Sequence, residues 1–398
     1  MSPSHLPCQD PRAALTCLDE LLRRWEGLWR PAPFHQTRPD WCDRLPALAA
    51  QLLALDEEQT EALADAPAAL LELLISHVPE LAGLGELTRL PRLEGQAGFA
   101  DGRLAWGVPG RKLAQIQAFA AAVGEPRTPL LEWCAGKGHL GRLLAGHWAV
   151  PVASLEIDVH LCADGAALAR RAGVIQSFLS GDALDPAAAA CLTGRHAVAL
   201  HACGDLHLAL LRGAVERGAP ALDLAPCCYY RTAAPEYRPF NPEAGLRLNR
   251  DELHLPVTET VTAGARERRL RDRHMAWKLG FLGLRETLAG TAGKATFKPV
   301  PAAWLGLEFS DFIRHLARRE GLALPGGLDL AEFEARGWQR RHEVARLGLV
   351  RLAFRRALEV WLALDRALYL ERAGYTVTLG EFCDRALTPR NLLISARR

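Results

Sequence analysis

Long apolar runs are missing from this sequence. No stretch reaches the roughly 18 uncharged apolar residues that a membrane-spanning helix needs, so no bilayer crossing is expected. The opening Met1-Ser2-Pro3-Ser4-His5-Leu6-Pro7-Cys8 lacks the apolar core of a secretory signal. Closely spaced cysteine pairs are scarce too. The ten cysteines form no C-x-x-C, and only Cys227 and Cys228 are near neighbours. That argues against a zinc ribbon and against a disulfide framework, and it predicts reduced thiols in a cytoplasmic protein. Net charge is also small: 48 basic and 46 acidic side chains leave +2, so any surface for nucleic acid must be local. What the chain does have is 49% hydrophobic and 24% charged residues over 398 positions. This composition excludes full-length disorder and fibrous rods, and the length allows two or three domains.

Residues 1–100 read as helices. Leucines recur at three- and four-residue spacings along Ala13–Trp29, Leu45–Leu55 and Glu61–Ile75. The pattern changes after about Leu104, where short apolar runs alternate with helical stretches. The runs are Leu130–Trp133, Val152–Leu155, Ile175–Leu179, Ala197–Leu200 and Ala221–Ala225. Such alternation predicts a parallel sheet covered on both faces, with ligands at the carboxyl ends of its strands. From Tyr229 the pattern breaks into prolines and a basic run, Arg266, Arg268, Arg269, Arg271 and Arg273, which reads as an insertion. One long amphipathic helix is expected over Arg341–Arg372, ended by Gly374, then two closing strands, Tyr375–Leu379 and Leu392–Ser395.

The sharpest motif is Leu131-Glu132-Trp133-Cys134-Ala135-Gly136-Lys137-Gly138-His139-Leu140-Gly141. A strand enters a glycine turn and leaves as a helix. The glycines let the backbone approach a ligand, and the helix start offers it free N–H groups. Gly136, Gly138 and Gly141 spell G-x-G-x-x-G, and Glu156 follows Gly136 after 20 residues. A dinucleotide and S-adenosylmethionine (SAM) both suit this arrangement, with the acid on a ribose hydroxyl. Downstream residues favour SAM. Ser180-Gly181-Asp182 puts an acid after the third run, where the adenine amine would lie, and the chain ends in a strand–loop–strand.

Three motifs then occur in order: Cys134-Ala135-Gly136-Lys137-Gly138-His139-Leu140, Leu200-His201-Ala202-Cys203-Gly204-Asp205-Leu206 and Ala225-Pro226-Cys227-Cys228-Tyr229-Tyr230. In these the sequence resembles a branch of the class I SAM-dependent methyltransferases. That branch comprises methyltransferase-like proteins and the glutathione S-transferase C-terminal-domain-containing protein. More distantly the motifs resemble a eukaryotic tRNA 2′-O-methyltransferase. Val108-Pro109-Gly110-Arg111-Lys112, Leu364-Asp365-Arg366-Ala367-Leu368-Tyr369-Leu370 and Thr388-Pro389-Arg390-Asn391 agree with it as well. The resemblance implies an α/β fold: a Rossmann-like sheet of seven strands with an antiparallel last strand. It implies a SAM-dependent methyltransferase domain over 105–398 with an insertion at about 229–340, preceded by a helical accessory domain over 1–104. It also implies that Gly136, Gly138, Glu156 and Asp182 bind the cofactor, with Glu132, Ala135 and Lys137 beside them.

Methyl transfer requires the acceptor held about 3 Å from the methyl carbon and, for a hydroxyl acceptor, a way to remove its proton. Asp205 and His201 follow the fourth run and are the candidate catalytic residues; Asp205 equally suits the opening of a helix. Cys227, Cys228, Tyr229, Tyr230 and Arg231 follow the fifth run and are the candidate substrate contacts. A nucleophilic thiol is the alternative role for the cysteine pair. A metal held by Cys203, Cys227, Cys228 and His201 is conceivable, but adjacent cysteines are awkward chelators, and no metal is expected. The basic run and the tyrosines point to RNA, with tRNA as the example, as acceptor. A protein acceptor, a non-catalytic SAM-binding scaffold and an NAD-dependent dehydrogenase are the rival readings. No membrane and no obligate protein partner are expected.

Overall fold

The computed structural model describes residues 10–93, 95, 102–258, 264–290 and 297–398. Seven strands form one sheet: β1 (Leu130–Trp133), β2 (Val152–Glu156), β3 (Gln176–Ser180), β4 (His196–Cys203), β5 (Ala221–Cys227), β6 (Thr376–Glu381) and β7 (Leu392–Arg397). Their order is β3-β2-β1-β4-β5-β7-β6. The first five pair in parallel, and β7 runs antiparallel to both its neighbours. Every residue of β1 and β5 is buried, whereas edge strand β3 has only half-buried and exposed residues. Central strands covered on both faces read as mainly apolar runs, here interrupted by the buried Glu132, Ser154 and Asp223, which is why they were visible in the sequence.

The helices that position the site are α1 (Pro11–Arg24), α2 (Gly110–Val123), α3 (His139–Trp148), α4 (Val159–Ala172), α5 (Asp205–Arg217) and α6 (Arg355–Arg372). One core joins α2 and α3 to the sheet through Ile116, Phe119, Leu140, Leu143 and Leu144 against Leu130, Val152, Val198 and Ala225. Fully burying each such side chain contributes about 1.5–3 kcal/mol. Arg142 of α3 is buried and donates to the carbonyls of Leu104 and Trp106, which fixes the chain ahead of α2. Arg111, at the start of α2, grips the carbonyls of Ala386 and Leu387 in the loop between the closing strands.

Two compact units divide the chain: Met1–Arg24 with Gly83–Val261 and Arg355–Arg398, and Trp25–Ala82 with Thr262–Phe354. This division differs from the expected boundary near residue 104. Helix α1 is built into the sheet-bearing unit. Asp19 on it is 4% exposed and accepts from the backbone of Gly245 and Leu246 and from the Trp361 indole. A leucine-rich helix reads alike in either setting; only the buried carboxylate tells them apart.

The second unit is helical. Ala265–Ala289 and Leu330–Ala353 pack closely where Gly337 meets the Ala276 carbonyl and Gly280. Trp277, Phe281, Phe309, Phe312 and Phe333 fill its core. Arg341 is buried between Asp272 and Glu57.

Three expected helices are each broken, the first, Ala13–Trp29, at Trp25 between Pro11–Arg24 and Glu26–Trp29. Glu61–Ile75 divides at Ala66, because Pro67 opens a new helix, Pro67–His77. Arg341–Arg372 divides at Phe354, whose N–H bonds the Arg351 carbonyl three residues back and so tightens the last turn of Leu330–Ala353. Among the described residues, no helix is long and apolar enough to cross a membrane.

Candidate functional site

At the carboxyl end of β1 the chain turns through Cys134, Gly136 and Gly138, all with left-handed backbone (φ 57°, 57° and 63°). Gly138 has no room for a side chain: a Cβ there would lie 2.4 Å from Gln176 Nε2 and 2.6 Å from the Phe178 ring. Helix α3 starts directly after it, so its first N–H groups face the loop's end of the sheet. Glu156 closes β2, and its Oε2 accepts from the Gly136 N–H at 2.7 Å. Its other oxygen accepts from Ile157 and Asp158. Asp182 is exposed just beyond β3 and accepts from the Leu184 N–H. The Cys134 thiol is pushed up to about 12 by burial, and next by the nearby Glu156, Cys203 and Asp182. The ends of β1, β2, β3 and β4 therefore converge on one place. Ile157 and Leu184 stand there 63% and 51% exposed.

Some of the expected cofactor residues serve the fold. Glu132 is 4% exposed and accepts from the Ser154 hydroxyl at 2.8 Å, with further support from the Gly141 and Leu140 N–H groups. It braces the start of α3 from within, and burial pushes its carboxyl up to about 7. Lys137 is turned toward Asp164 of α4, at 2.7 Å. Ala135 lies in the turn just before Gly136 and donates its N–H to the Leu155 carbonyl of β2.

At the end of β4, a bulge separates the pairs Leu200–Ala225 and Cys203–Cys227. His201 sits in that bulge; its side chain lies outside the described residues. Gly204 follows with φ 55°, where a Cβ would come 1.8 Å from the Arg231 carbonyl oxygen. Only glycine lets the loop after β5 approach so closely. Asp205 opens α5. Its N–H bonds the Arg231 carbonyl, and its Oδ2 accepts from the Ala233 N–H at 2.7 Å. The carboxylate thus clamps the 231–233 loop against α5.

Residues 111–235 match a family model described as a methyltransferase domain. The match takes in α2, all five parallel strands, the glycine turn, Glu156, Asp182 and Asp205. No curated protein is significantly similar to the chain.

The methyltransferase-like region is held from outside its matched limits. Asp365 of α6 accepts from Tyr237 Oη at 2.5 Å, from the backbone of Phe240 and Asn241 and from the Asn241 side chain. Its neighbour Arg366 is buried, donates to His207 Nε2 at 3.1 Å and lies over the rings of Tyr229 and Tyr237. Because His207 Nε2 accepts there, its Nδ1 carries the proton and donates to the Ala202 carbonyl at 3.2 Å. Burial, and then the Arg366 charge, keep this imidazole neutral. Sequence reasoning missed Asp365, Arg366 and His207 as a unit, although the first two lie in a stretch that carried the resemblance.

The five expected substrate residues separate. Tyr229 is 3% exposed and packs edge-on against His207, so it belongs to the core and not to the substrate mouth. Cys227 is buried, and Cys228 is half-buried. Tyr230 is half-buried against the His254 ring, and Arg231 is exposed. The three sulfurs of Cys203, Cys227 and Cys228 lie within 4.8 Å of one another. Cys228 receives hydrogen bonds from the other two, which lowers its pKa and raises that of Cys227. The basic run lies on the helix Ala265–Ala289, with Arg266, Arg268, Arg269 and Arg271 exposed.

Proposed function

We propose that the chain is a class I SAM-dependent methyltransferase that methylates RNA. One observation carries the cofactor assignment: the Gly136 N–H and the Glu156 carboxylate meet at 2.7 Å where four strand ends converge. SAM has three parts that need different partners, and the residues present fit each. The methionine part suits the glycine turn after β1, where the backbone lets a ligand approach closely. The ribose hydroxyls suit Glu156. The adenine ring suits the exposed Ile157 and Leu184, with its amine toward Asp182. The strand order and the antiparallel β7 support the class I reading. A dehydrogenase would use the same turn, but the closing strands and the matched family favour methyl transfer.

When bound, SAM supplies an activated methyl group on a sulfonium. The remaining work belongs to the protein. It must align the acceptor atom with the methyl carbon and keep water from competing. Asp205 stands at the opening of α5 and ties down the loop carrying Arg231. A carboxylate here orients an acceptor hydroxyl by hydrogen bonding and favours its loss of a proton. His201, in the β4 bulge, is the second candidate for that proton. Tyr230 and Arg231 supply a ring and a cation for a nucleobase and its phosphate. The exposed arginines of Ala265–Ala289 offer phosphate contacts on the helical unit.

Mass spectrometry of RNA nucleosides and of protein methylation, from cells with and without the gene, tests this reading. Loss of a methylated nucleoside supports it. Loss of a methylated protein residue with unchanged RNA would move the acceptor class to protein.

A further inference from the structure

The three thiols at the ends of β4 and β5 are arranged in a way that packing alone does not require. Successive side chains of a strand point to opposite faces. Cys227 and Cys228, at the end of β5, should therefore diverge. Cys228 instead takes the left-handed backbone (φ 44°), a conformation few non-glycine residues adopt. This brings its sulfur back to the side of Cys227. On the neighbouring strand, the bulge after Leu200 uses three residues of β4 against two of β5 and sets Cys203 opposite Cys227. The two sulfurs then stand 3.4 Å apart. All three lie within 4.8 Å of one another.

The backbone holds this arrangement without help from the sulfurs. The Gly204 N–H bonds the Cys227 carbonyl, and the Arg231 N–H bonds the Cys228 carbonyl. Asp205 closes the same loop from α5. Sulfurs bound to one zinc ion at about 2.3 Å in tetrahedral directions stand about 3.8 Å apart. The Cys203–Cys227 spacing is a few tenths of an ångström inside that value and none of the three exceeds 4.8 Å, so movements of about an ångström or less would complete the set. Thiolates select soft or borderline cations, zinc first among them. Three thiolates around a divalent cation leave one negative charge. Arg231 and Arg390 are near enough to act on Cys228 and offset it.

We propose that Cys203, Cys227 and Cys228 form a three-thiolate site for one zinc ion with a fourth coordination position left open. Adjacent cysteines are poor chelators only while they alternate across a strand, and the turn at Cys228 removes that objection. The site is independent of the acceptor assigned above. A zinc ion with three protein ligands keeps a position for water or for an incoming acceptor atom.

The test uses the full chain, reduced and stripped of metal with a chelator, then titrated with zinc against a chromophoric competitor. The expected result is one zinc per chain. Cobalt in its place should show thiolate charge-transfer bands and the visible bands of a tetrahedral ion. Alkylation mapped by mass spectrometry, with and without zinc, should show protection of Cys203, Cys227 and Cys228 and of no other cysteine. This measurement needs no variant, so it stands even where a substitution disturbs folding. Cys203→Ser and Cys228→Ser should each weaken zinc binding by at least the roughly 10- to 100-fold that losing an outer-shell partner costs. Cys191→Ser, away from the cluster, should bind as before. No zinc bound by the unaltered chain, protection of other cysteines, or undiminished binding by the two serine variants would overturn the proposal.

Discussion

Replacing Glu132 with glutamine keeps the shape of the side chain and removes its charge. In the folded chain burial pushes this carboxyl from its ordinary 4.5 up to about 7, against the pull of Ser154 and of the Gly141 and Leu140 N–H groups. Between those two values the folded chain holds a proton that the unfolded chain has released. Stability therefore falls as pH rises across the window. At about 1.4 kcal/mol for each pH step, the ionised carboxylate costs the folded state about 3 kcal/mol above about pH 7. Glutamine has no proton to lose. At about pH 5, where Glu132 is a neutral acid in the folded chain, the variant should be the less stable by about 1–3 kcal/mol, because its NH2 group replaces an oxygen among the Ser154, Leu140 and Gly141 donors. Between about pH 5 and 8 it should then gain about 3 kcal/mol on the parent. His139 and His274, each held down to about 4 by burial, make the stability of both proteins rise with pH below about 6.5, so neither raw curve is diagnostic. The difference between the two curves is. Urea unfolding followed by tryptophan fluorescence at a series of pH values measures it. A difference that stays flat within about 0.5 kcal/mol would refute the placement of an ionisable Glu132 in a dry site behind the glycine turn.

Asp205→Asn keeps an acceptor for the Ala233 N–H, so the loop should hold and SAM should bind as before. Turnover should fall by roughly 100- to 10,000-fold; unchanged turnover would reduce Asp205 to a clamp. Asp19→Ala leaves the N–H groups of Gly245 and Leu246 and the Trp361 indole without their shared acceptor. It should destabilise the sheet-bearing unit by about 2–4 kcal/mol in chemical denaturation, and a loss below about 0.5 kcal/mol would show that α1 is not part of that unit.

Much of the sheet was legible because its central strands are short, mainly apolar runs set between helical stretches. Leu130–Trp133 was located to the residue, and Glu156 and Asp182, expected as cofactor ligands, lie at the last position of β2 and just beyond β3. What escaped was buried polarity. Asp19, Asp365 and Arg366 lie on helices whose periodicity assigns charged residues to a solvated face, yet each is nearly inaccessible and fully bonded. Tyr229 looked like a lining residue because it follows two cysteines at a strand end, but the Arg366 guanidinium and His207 draw it inward. The helical unit was hidden for a different reason. Its two segments, Trp25–Ala82 and Thr262–Phe354, are separated by the whole parallel sheet, and no local pattern announces that they meet. The break at Phe354 has no glycine or proline to mark it. The β4 bulge is equally silent, since it arises from a register shift between strands and not from composition.

The central claim is that the turn after β1 and the acid after β2 form a cofactor site. Isothermal titration of the purified chain with SAM tests it most directly, with NAD as the comparison and Glu156→Ala as the second protein. Saturable binding of one SAM per chain, no binding of NAD, and an affinity weakened by about 1–3 kcal/mol in a folded Glu156→Ala variant are the expected results. Saturable NAD binding without SAM binding, or an unchanged SAM affinity in the variant, would contradict the account.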